Sequence, residues 1–333
     1  MARIDELRLM AKVAHMYYTQ GMRQTGICEQ LDIHQSTVSR LLKRAEREGI
    51  VRTTVSLPSG THTEIEEALQ SRYSLHEAIV VDCMDDDEQI ARDLGAAAAF
   101  YLETRLEPSD LVGISAWSAA LLAMVNAMRP SQRFRNTRVI QILGGVGSPN
   151  AEVHATQVTR RLADLIGGEA ILLAAPGVVG SKSARDVLMK DRFVLEALNL
   201  FPKVTLALVG IGATEPSRAL ASSGNVFSPQ EIKLLAAKGA VGDICLRFFD
   251  AAGREVTTEL NDRVISMELA QLRAVRRVVG VAGGRRKLGA IRGALAGKLV
   301  KVLITDLACA EQLLSESATG KPGAGDRRVR KER

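Results

Sequence analysis

The sequence predicts an α/β protein, with a small winged helix-turn-helix head followed by a Rossmann-like, doubly wound parallel-sheet domain. Three observations predict it. The 333 residues are too many for one ordinary domain and suit a small module plus a large one. Residues 4–56 hold three short helical patterns and one alternating β stretch. From residue 76 onward, apolar runs of strand length alternate with helical stretches.

Composition sets the outer limits. Hydrophobic residues make up 46% and charged residues 25%, enough for a sizeable core, and aromatics are only 4%, so that core is aliphatic. No run of about 18 apolar residues is free of charge. The start, with Arg3, Asp5, Glu6 and Arg8, lacks the apolar core of a signal peptide, so the expected location is the cytoplasm, away from any membrane. Cys28, Cys83, Cys245 and Cys309 are far apart, with no C-x-x-C spacing. They read as reduced, mostly buried thiols, and no metal or cofactor is expected. The +6 net charge sits at the chain ends: nine basic and six acidic residues in 1–56, and six and three in 315–333. The middle is neutral, as a polyanion-binding head and a solvated basic tail would leave it.

In the head, Ile4, Leu7, Met10, Ala11, Ala14 and Tyr18 recur at steps of three and four, which predicts an amphipathic helix over 4–19 ended by Gly21. A second short helix passes through Ile27, Cys28 and Leu31 into the turn Asp32-Ile33-His34. The third opens at Gln35 and Ser36 and places Val38, Leu41, Leu42 and Ala45 on its apolar face before Gly49 stops it. Its opposite face carries Arg40, Lys43, Arg44 and Arg47, and its first turn carries Gln35, Ser36, Thr37 and Ser39. Such a basic stripe on an isolated helix is usually a solvated face. Here it follows a short helix and a tight turn, which is what entry into a DNA major groove demands. Slim polar residues meet base edges, and cations behind them reach phosphates. Residues 50–56 alternate as a strand ended by Pro58 and form the expected wing, with Arg52 near the DNA backbone.

The stretch QSTVSRLLKRAEREGIV resembles the recognition helix and wing of the SorC-type, sugar-responsive bacterial regulators, a family related to DeoR. One departure is Cys28, which stands where such turns often have a small buried alanine.

Residues 1–57 are thus the expected DNA-binding domain, 58–75 a linker and connecting helix (Glu64 to Leu75), 76–314 the large domain, and 315–333 a disordered basic tail. Seven strands are expected in the large domain: Ala78–Val81, Leu111–Ser115, Val139–Leu143, Ala170–Ala174, Val204–Val209, Arg277–Val281 and Val300–Thr305. Several are apolar at nearly every position, as in a parallel sheet covered on both faces. Ligands in such sheets bind beyond the carboxyl ends of the strands.

Four segments there are candidate ligand loops. The first includes Gly113, Ser115, Trp117, Ser118 and Ala119, a strand running into a helix N-terminus that favours an anion, or a plain turn capped by Ser118. The second is a glycine loop with Gly144, Gly145, Gly147 and Asn150, followed by His154, which can donate to a phosphate or lie on the surface. The third is Gly239–Ile244, where Gly242 and Asp243 stand; Asp243 either accepts from ligand hydroxyls or caps a strand edge. The fourth is chemically strongest. Gly283 and Gly284 end a strand, and Lys287 falls in the following turn, so peptide dipoles and a point charge meet where a monophosphate ester would sit. The spacing is not that of an NTP-binding loop.

These segments, and above all VAGGRRKLGAIRGALAGKLVKVLITD, also resemble the effector domain of SorC-type regulators, whose fold is similar to sugar-phosphate isomerases and CoA transferases. The resemblance spans about residues 4–314. It implies a sugar or phosphosugar pocket lined by Ser115, Trp117, Ser118 and Ala119, with Asp243 on hydroxyls and Lys287 on phosphate. Many members have glycine where Trp117 stands and threonine where Ala119 stands; a tryptophan suits stacking on an apolar sugar face. The expected function is a transcription regulator of carbohydrate or polyol genes, binding operator DNA and a sugar or sugar phosphate as a homo-oligomer, dimer or tetramer. The alternative is an isomerase-like enzyme with an appended DNA-binding head. Against it, Asp243 is the one carboxylate in these segments, without a paired acid.

Overall fold

The computed structural model describes residues 2–51, 60–84, 86–115, 117–131, 134, 137–146, 152–216 and 227–315, the side chains of 2–4 and 152–156 excepted. The chain divides into two compact units, residues 1–58 and 59–333. The wing with Arg52, and the tail beyond Ser315, lie outside the described residues.

In the first unit, α1 (Ala2–Ala14) continues as a wider, π-helical turn over His15–Thr19. Helices α2 (Gln24–Leu31) and α3 (Gln35–Arg47) follow. Met10, Val13, Ala14, Met16, Ile27, Val38, Leu41, Leu42 and Ala45 form a buried cluster. All four apolar positions expected on α3 are in it. Ala11 and Tyr18, expected on the apolar face of the first helix, are exposed. Met16 takes the core position where the helix widens, and the Tyr18 hydroxyl instead donates to Glu46 at 2.5 Å. Between α2 and α3, Asp32 adopts the left-handed conformation, with φ of 52°, and its N–H bonds the Cys28 carbonyl, so the chain reverses direction in one residue.

In the second unit the strands are β1 (Glu77–Val81), β2 (Leu111–Ile114), β3 (Arg138–Gln141), β4 (Glu169–Ile171), β5 (Leu206–Gly210), β6 (Gly212–Ala213), β7 (Gly242–Ile244), β8 (Arg247–Phe249), β9 (Arg277–Val281) and β10 (Val302–Asp306). Seven of them build one sheet in the order β1-β10-β9-β5-β2-β3-β4. Every pairing in it is parallel. These seven are the runs the sequence marks, displaced by a few residues at most.

The helices relevant to this sheet are α4 (Thr63–Tyr73), α5 (Asp87–Arg105), α6 (Ala119–Ala127), α7 (Glu152–Ile166), α8 (Lys182–Leu188), α9 (Arg192–Leu198), α10 (Pro229–Ala237), α11 (Leu269–Ala274), α12 (Leu288–Ala296) and α13 (Leu307–Ser315). Val112, Ile114, Leu206, Leu208, Val279, Val281 and Ile304 bury one sheet face against α5, α6 and α7. The alternate residues Ala207, Val209, Val278 and Leu303 bury the other face with Leu69 of α4, Ile291 of α12 and Leu313 of α13. A strand covered on both sides must be apolar throughout, which is why its sequence shows a run rather than alternation. Gly95 lets α5 and α6 touch, since a Cβ there would lie 2.6 Å from that of Ala123.

The small antiparallel sheet β6-β7-β8 is absent from the sequence expectations. Its strands are only two or three residues long, too short for a periodic signal. Its β7–β8 hairpin turns through Cys245 and Leu246, both at positive φ (54° and 61°), where a sequence reader looks for glycine or asparagine. Asp243 holds this turn: its Oδ2 accepts from the Leu246 N–H at 2.9 Å.

At the amino ends of β2, β5 and β9, Asp110 is buried. It accepts from the Thr205 hydroxyl at 2.7 Å, from the Glu107 N–H at 2.9 Å, and from Arg277. Burial alone would raise its pKa, but these donors outweigh it and hold the carboxyl below 3.8. A lowered carboxylate stabilises the fold above its unfolded pKa and loses that contribution as pH falls through the native one. Asp110→Ala should therefore destabilise the protein by about 3 kcal/mol at neutral pH in urea unfolding, because it removes the acceptor of Thr205 and Glu107 and leaves the half-buried Arg277 without its carboxylate. The difference from wild type should shrink in acid; a loss below about 1 kcal/mol at neutral pH would contradict this role.

Candidate functional site

On α3, the core-facing residues fix which side looks outward. Gln35, Ser36, Arg40, Lys43 and Arg47 are exposed, and Thr37 and Ser39 are half-buried at the flank of that face. The polar first turn and the cations behind it are therefore accessible together. Arg44 differs from the expectation. Its guanidinium donates to Glu6 of α1 and Glu48, each at 2.5 Å, and is half-buried. Both carboxylates hold it charged, and it ties α3 to α1 instead of facing outward with Arg40 and Lys43.

In the second unit a cleft with about 650 Å³ of empty space opens at the carboxyl ends of the central strands. Three of the four candidate loops meet there, two at the carboxyl ends of parallel strands and one from the small antiparallel sheet. Ser115, Trp117, Ser118 and Ala119 come from the end of β2, Asp243 from β7, and Lys287 from the turn after β9. Glu215, Cys245, Leu246 and Arg286 also line it. Arg286 was legible beside Lys287; Glu215 had no sequence signal, since it follows β6, whose pairing with the distant β7 sets that wall of the cleft.

Each wall has a local cause. Ser118 caps α6, accepting from the Leu121 N–H at 3.4 Å, and sits on Gly210, where a Cβ would approach its Oγ to 2.8 Å. Trp117 is 9% exposed, and its indole N–H donates to the Gly144 carbonyl at 3.2 Å, which fixes the ring at the cleft wall. Gly212 leaves room for Asp243: a Cβ there would lie 2.1 Å from Oδ1. Burial pushes the Asp243 carboxyl up to about 6, against the Leu246 N–H and Lys287, which favour ionisation. Lys287 is half-buried and has no hydrogen bond or ion pair to another side chain among the described residues. Burial lowers its pKa, with Arg286 adding to the effect and Asp87 and Asp243 opposing it. Burial raises the Cys245 thiol to about 12, with Ser115 opposing the shift.

Several expected glycines have packing roles outside the lining. A Cβ on Gly113 would meet Ile142 at 2.8 Å, on Gly144 the Pro176 backbone at 2.4 Å, and on Gly145 the Gln141 amide at 1.9 Å. Gly242 lies equally close to Ala290 of α12. Gly283 abuts Asp306, and the Gly284 N–H, expected to be free for an anion, donates to the Asp306 carboxylate at 2.7 Å. Gly147 and Asn150 lie outside the described residues, as does the His154 side chain, although position 154 falls within α7.

Of the cysteines, Cys245 and Cys309 are buried and Cys28 and Cys83 half-buried, all of them free. Among the described residues no helix is long and apolar enough to cross a membrane, and no group of three potential metal ligands occurs.

Comparison with known proteins matches both units. Residues 58–315 match the family described as "Putative sugar-binding domain", and residues 6–53 match the homeodomain-like domain. The sorbitol operon regulator of Klebsiella pneumoniae is 31% identical over 94% of this chain and 100% of its own length. The deoxyribonucleoside regulator of Bacillus subtilis is 32% identical over 94% of this chain and 99% of its own. Among solved structures, full-length SorC from Klebsiella pneumoniae superposes with a TM-score of 0.70 at 30% identity, covering 92% of this chain and 98% of that one. The sugar-binding domain of a Pseudomonas syringae pv. tomato DeoR regulator is 42% identical, with a TM-score of 0.60, over 77% of this chain and all of that one. A reading head, a cleft at the carboxyl edge of a parallel sheet and end-to-end similarity agree: this chain belongs to the SorC-type family of sugar-binding transcription regulators.

Proposed function

We propose that a phosphorylated sugar or polyol fills the cleft and controls how this chain binds operator DNA. The observation that carries the reading is Lys287, a half-buried ammonium with no ion-pair partner among the described residues, facing the same cleft as the buried Asp243 carboxyl. An isolated buried cation is costly unless an anion meets it, and a phosphate supplies that charge. Asp243, with Oδ2 held by Leu246, keeps its remaining lone pairs for ligand hydroxyls, and the Trp117 ring offers an apolar wall. Arg286, exposed at the mouth, adds a second cation.

DNA is read by the outward face of α3. Gln35, Ser36, Thr37, Ser39 and Arg40 meet base edges, while Lys43, joined by Arg52, meets phosphates. One such helix reads only a few base pairs, so useful specificity calls for a dimer or tetramer of this chain. The relatives are named as regulators of sorbitol, deoxyribonucleoside and erythritol genes, which supports a carbohydrate or polyol effector and the cytoplasm as the place of action. An enzymatic role is not favoured. Asp243 already holds its hairpin, and the other cleft carboxylate, Glu215, belongs to the rim.

Replacing Gln35 or Arg40 with alanine should relax discrimination between operator and mutated operator by about tenfold, whereas Lys43→Ala should weaken all sequences alike and lower the salt slope by about 1. Arg44→Ala should instead lower the melting temperature. Equal effects of all four on sequence preference would refute this division of labour.

Lys287→Ala should leave operator binding intact without ligand and remove the response to any sugar phosphate that shifts wild-type binding. A normal response in the variant would exclude the phosphate assignment.

Asp243 should titrate near pH 6 by carboxyl NMR. Because the native pKa is raised from 3.8 to about 6, protonation favours the fold: that contribution is fully present below 3.8 and lost as pH rises through 6. Hydroxyl binding needs the ionised form, so ligand affinity should fall below pH 6, more steeply than in Asp243→Asn, where only the ligand's own phosphate titrates. Identical pH profiles for the two proteins would contradict the role given to Asp243.

A further inference from the structure

Asp306 ends β10 and is 4% exposed, yet it makes no salt bridge among the described residues. Its charge is met by backbone. Oδ2 accepts from the Gly284 N–H at 2.7 Å, and Oδ1 accepts from the Cys309 N–H at 2.9 Å. The second bond caps α13, placing the carboxylate at the positive end of that helix. The first fixes the turn that carries Arg285, Arg286 and Lys287. Gly284 sits there at φ of 90°, and Gly283 is required as glycine because a Cβ would stand 2.4 Å from Asp306 Oδ2. One carboxylate therefore joins the cationic wall of the cleft to the start of α13.

The far end of α13 is joined to α4. The Tyr73 hydroxyl donates to the Leu313 carbonyl at 3.0 Å, and Arg72 donates to the Leu314 carbonyl at 2.6 Å. Leu69 of α4 and Leu313 are both fully buried in one cluster. At its other end, α4 is pinned by Glu66, whose Oε1 accepts from the Val80 N–H on the open edge of β1 at 2.9 Å, and by the His62–Asp82 pair at 2.8 Å. Helix α4 is also the first described helix after the DNA-reading unit in the chain.

We propose that Asp306 is a positioning residue through which the state of the cleft reaches α4: it clamps the Gly283–Lys287 turn to α13, and α13 braces α4 through Tyr73 and Arg72. Filling the cation site changes the strain on the Gly284–Asp306 bond, the capping of α13 follows, and α4 is held more or less firmly where the chain leaves for the head. The buried bonds of Asp306, the packed helices α13 and α4 and the Tyr73 and Arg72 bonds between them form a physical route for such coupling, and it is tested by non-additivity. This inference rests on the effector reading above, but its test does not.

The test is hydrogen–deuterium exchange on the full-length chain for wild type, Asp306→Asn, Tyr73→Phe and the double variant, without ligand and with inorganic phosphate. Without ligand, Asp306→Asn should speed exchange of the α4 amides by about tenfold, although the Asp306 carboxylate bonds the Gly284 and Cys309 amides and not α4. Tyr73→Phe should do the same to α4 and also speed the Gly284 amide at the opposite end. The double variant should be no faster than the faster single variant. Should Asp306→Asn lose its fold altogether, Tyr73→Phe, which removes one hydroxyl, still reads the route from the other end. Faster exchange confined to residues near each substitution, or additive effects in the double variant, would overturn the proposal. The phosphate arm is separate: protection of residues 284–289 supports the cation site, and its absence sinks the phosphate reading while the ligand-free arms still decide whether Asp306 couples to α4.

Discussion

The parallel pairing of all seven strands is the constraint on which the larger unit depends. Strands that run the same way need covering helices on the return journey, so both faces of the central strands are buried and those strands are largely apolar. The same geometry gathers all the strand ends that carry chemistry at one edge. Residues as distant in sequence as Ser115 and Lys287 meet there, and the small antiparallel sheet adds Asp243, without any local motif to announce it. The site follows from the topology, and its side chains are those that topology leaves at the carboxyl edge.

Two buried carboxylates organise that edge, and neither makes a salt bridge among the described residues. Asp243 stabilises a hairpin turn with two residues at positive φ and faces the cleft. Asp306 fixes a glycine turn and caps a helix. In both cases backbone N–H groups offset the cost of burying the acid. Lys287 is the opposite case, a half-buried cation without a side-chain partner among the described residues. That asymmetry is the basis of the proposed effector, an anion bearing hydroxyl groups.

Much of this was legible in the sequence, for identifiable reasons. Long buried strands announce themselves as apolar runs, and all seven were readable. The α3 core positions Val38, Leu41, Leu42 and Ala45 follow a strict helical period. Lys287 and Asp243 stood beside glycines at strand ends, where the topology rule looks. What escaped was set by contacts between distant segments. The hairpin of β7 and β8 turns through Cys-Leu, a pair with no turn signature, because Asp243 supplies the missing bond. Gly144 and Gly145 looked like a ligand loop, yet they are glycine because Pro176 and Gln141 leave no room for a side chain. Arg44 shares the basic stripe of Arg40 and Lys43, but Glu6, 38 residues away, turns it into a brace.

The chain's one tryptophan stands at the cleft wall, which makes the central claim directly measurable. Trp117 emission should change saturably with a sugar phosphate that also shifts operator binding, with the same midpoint in both titrations. A compound that alters operator binding at concentrations leaving Trp117 emission unchanged would place the effector elsewhere and contradict the account.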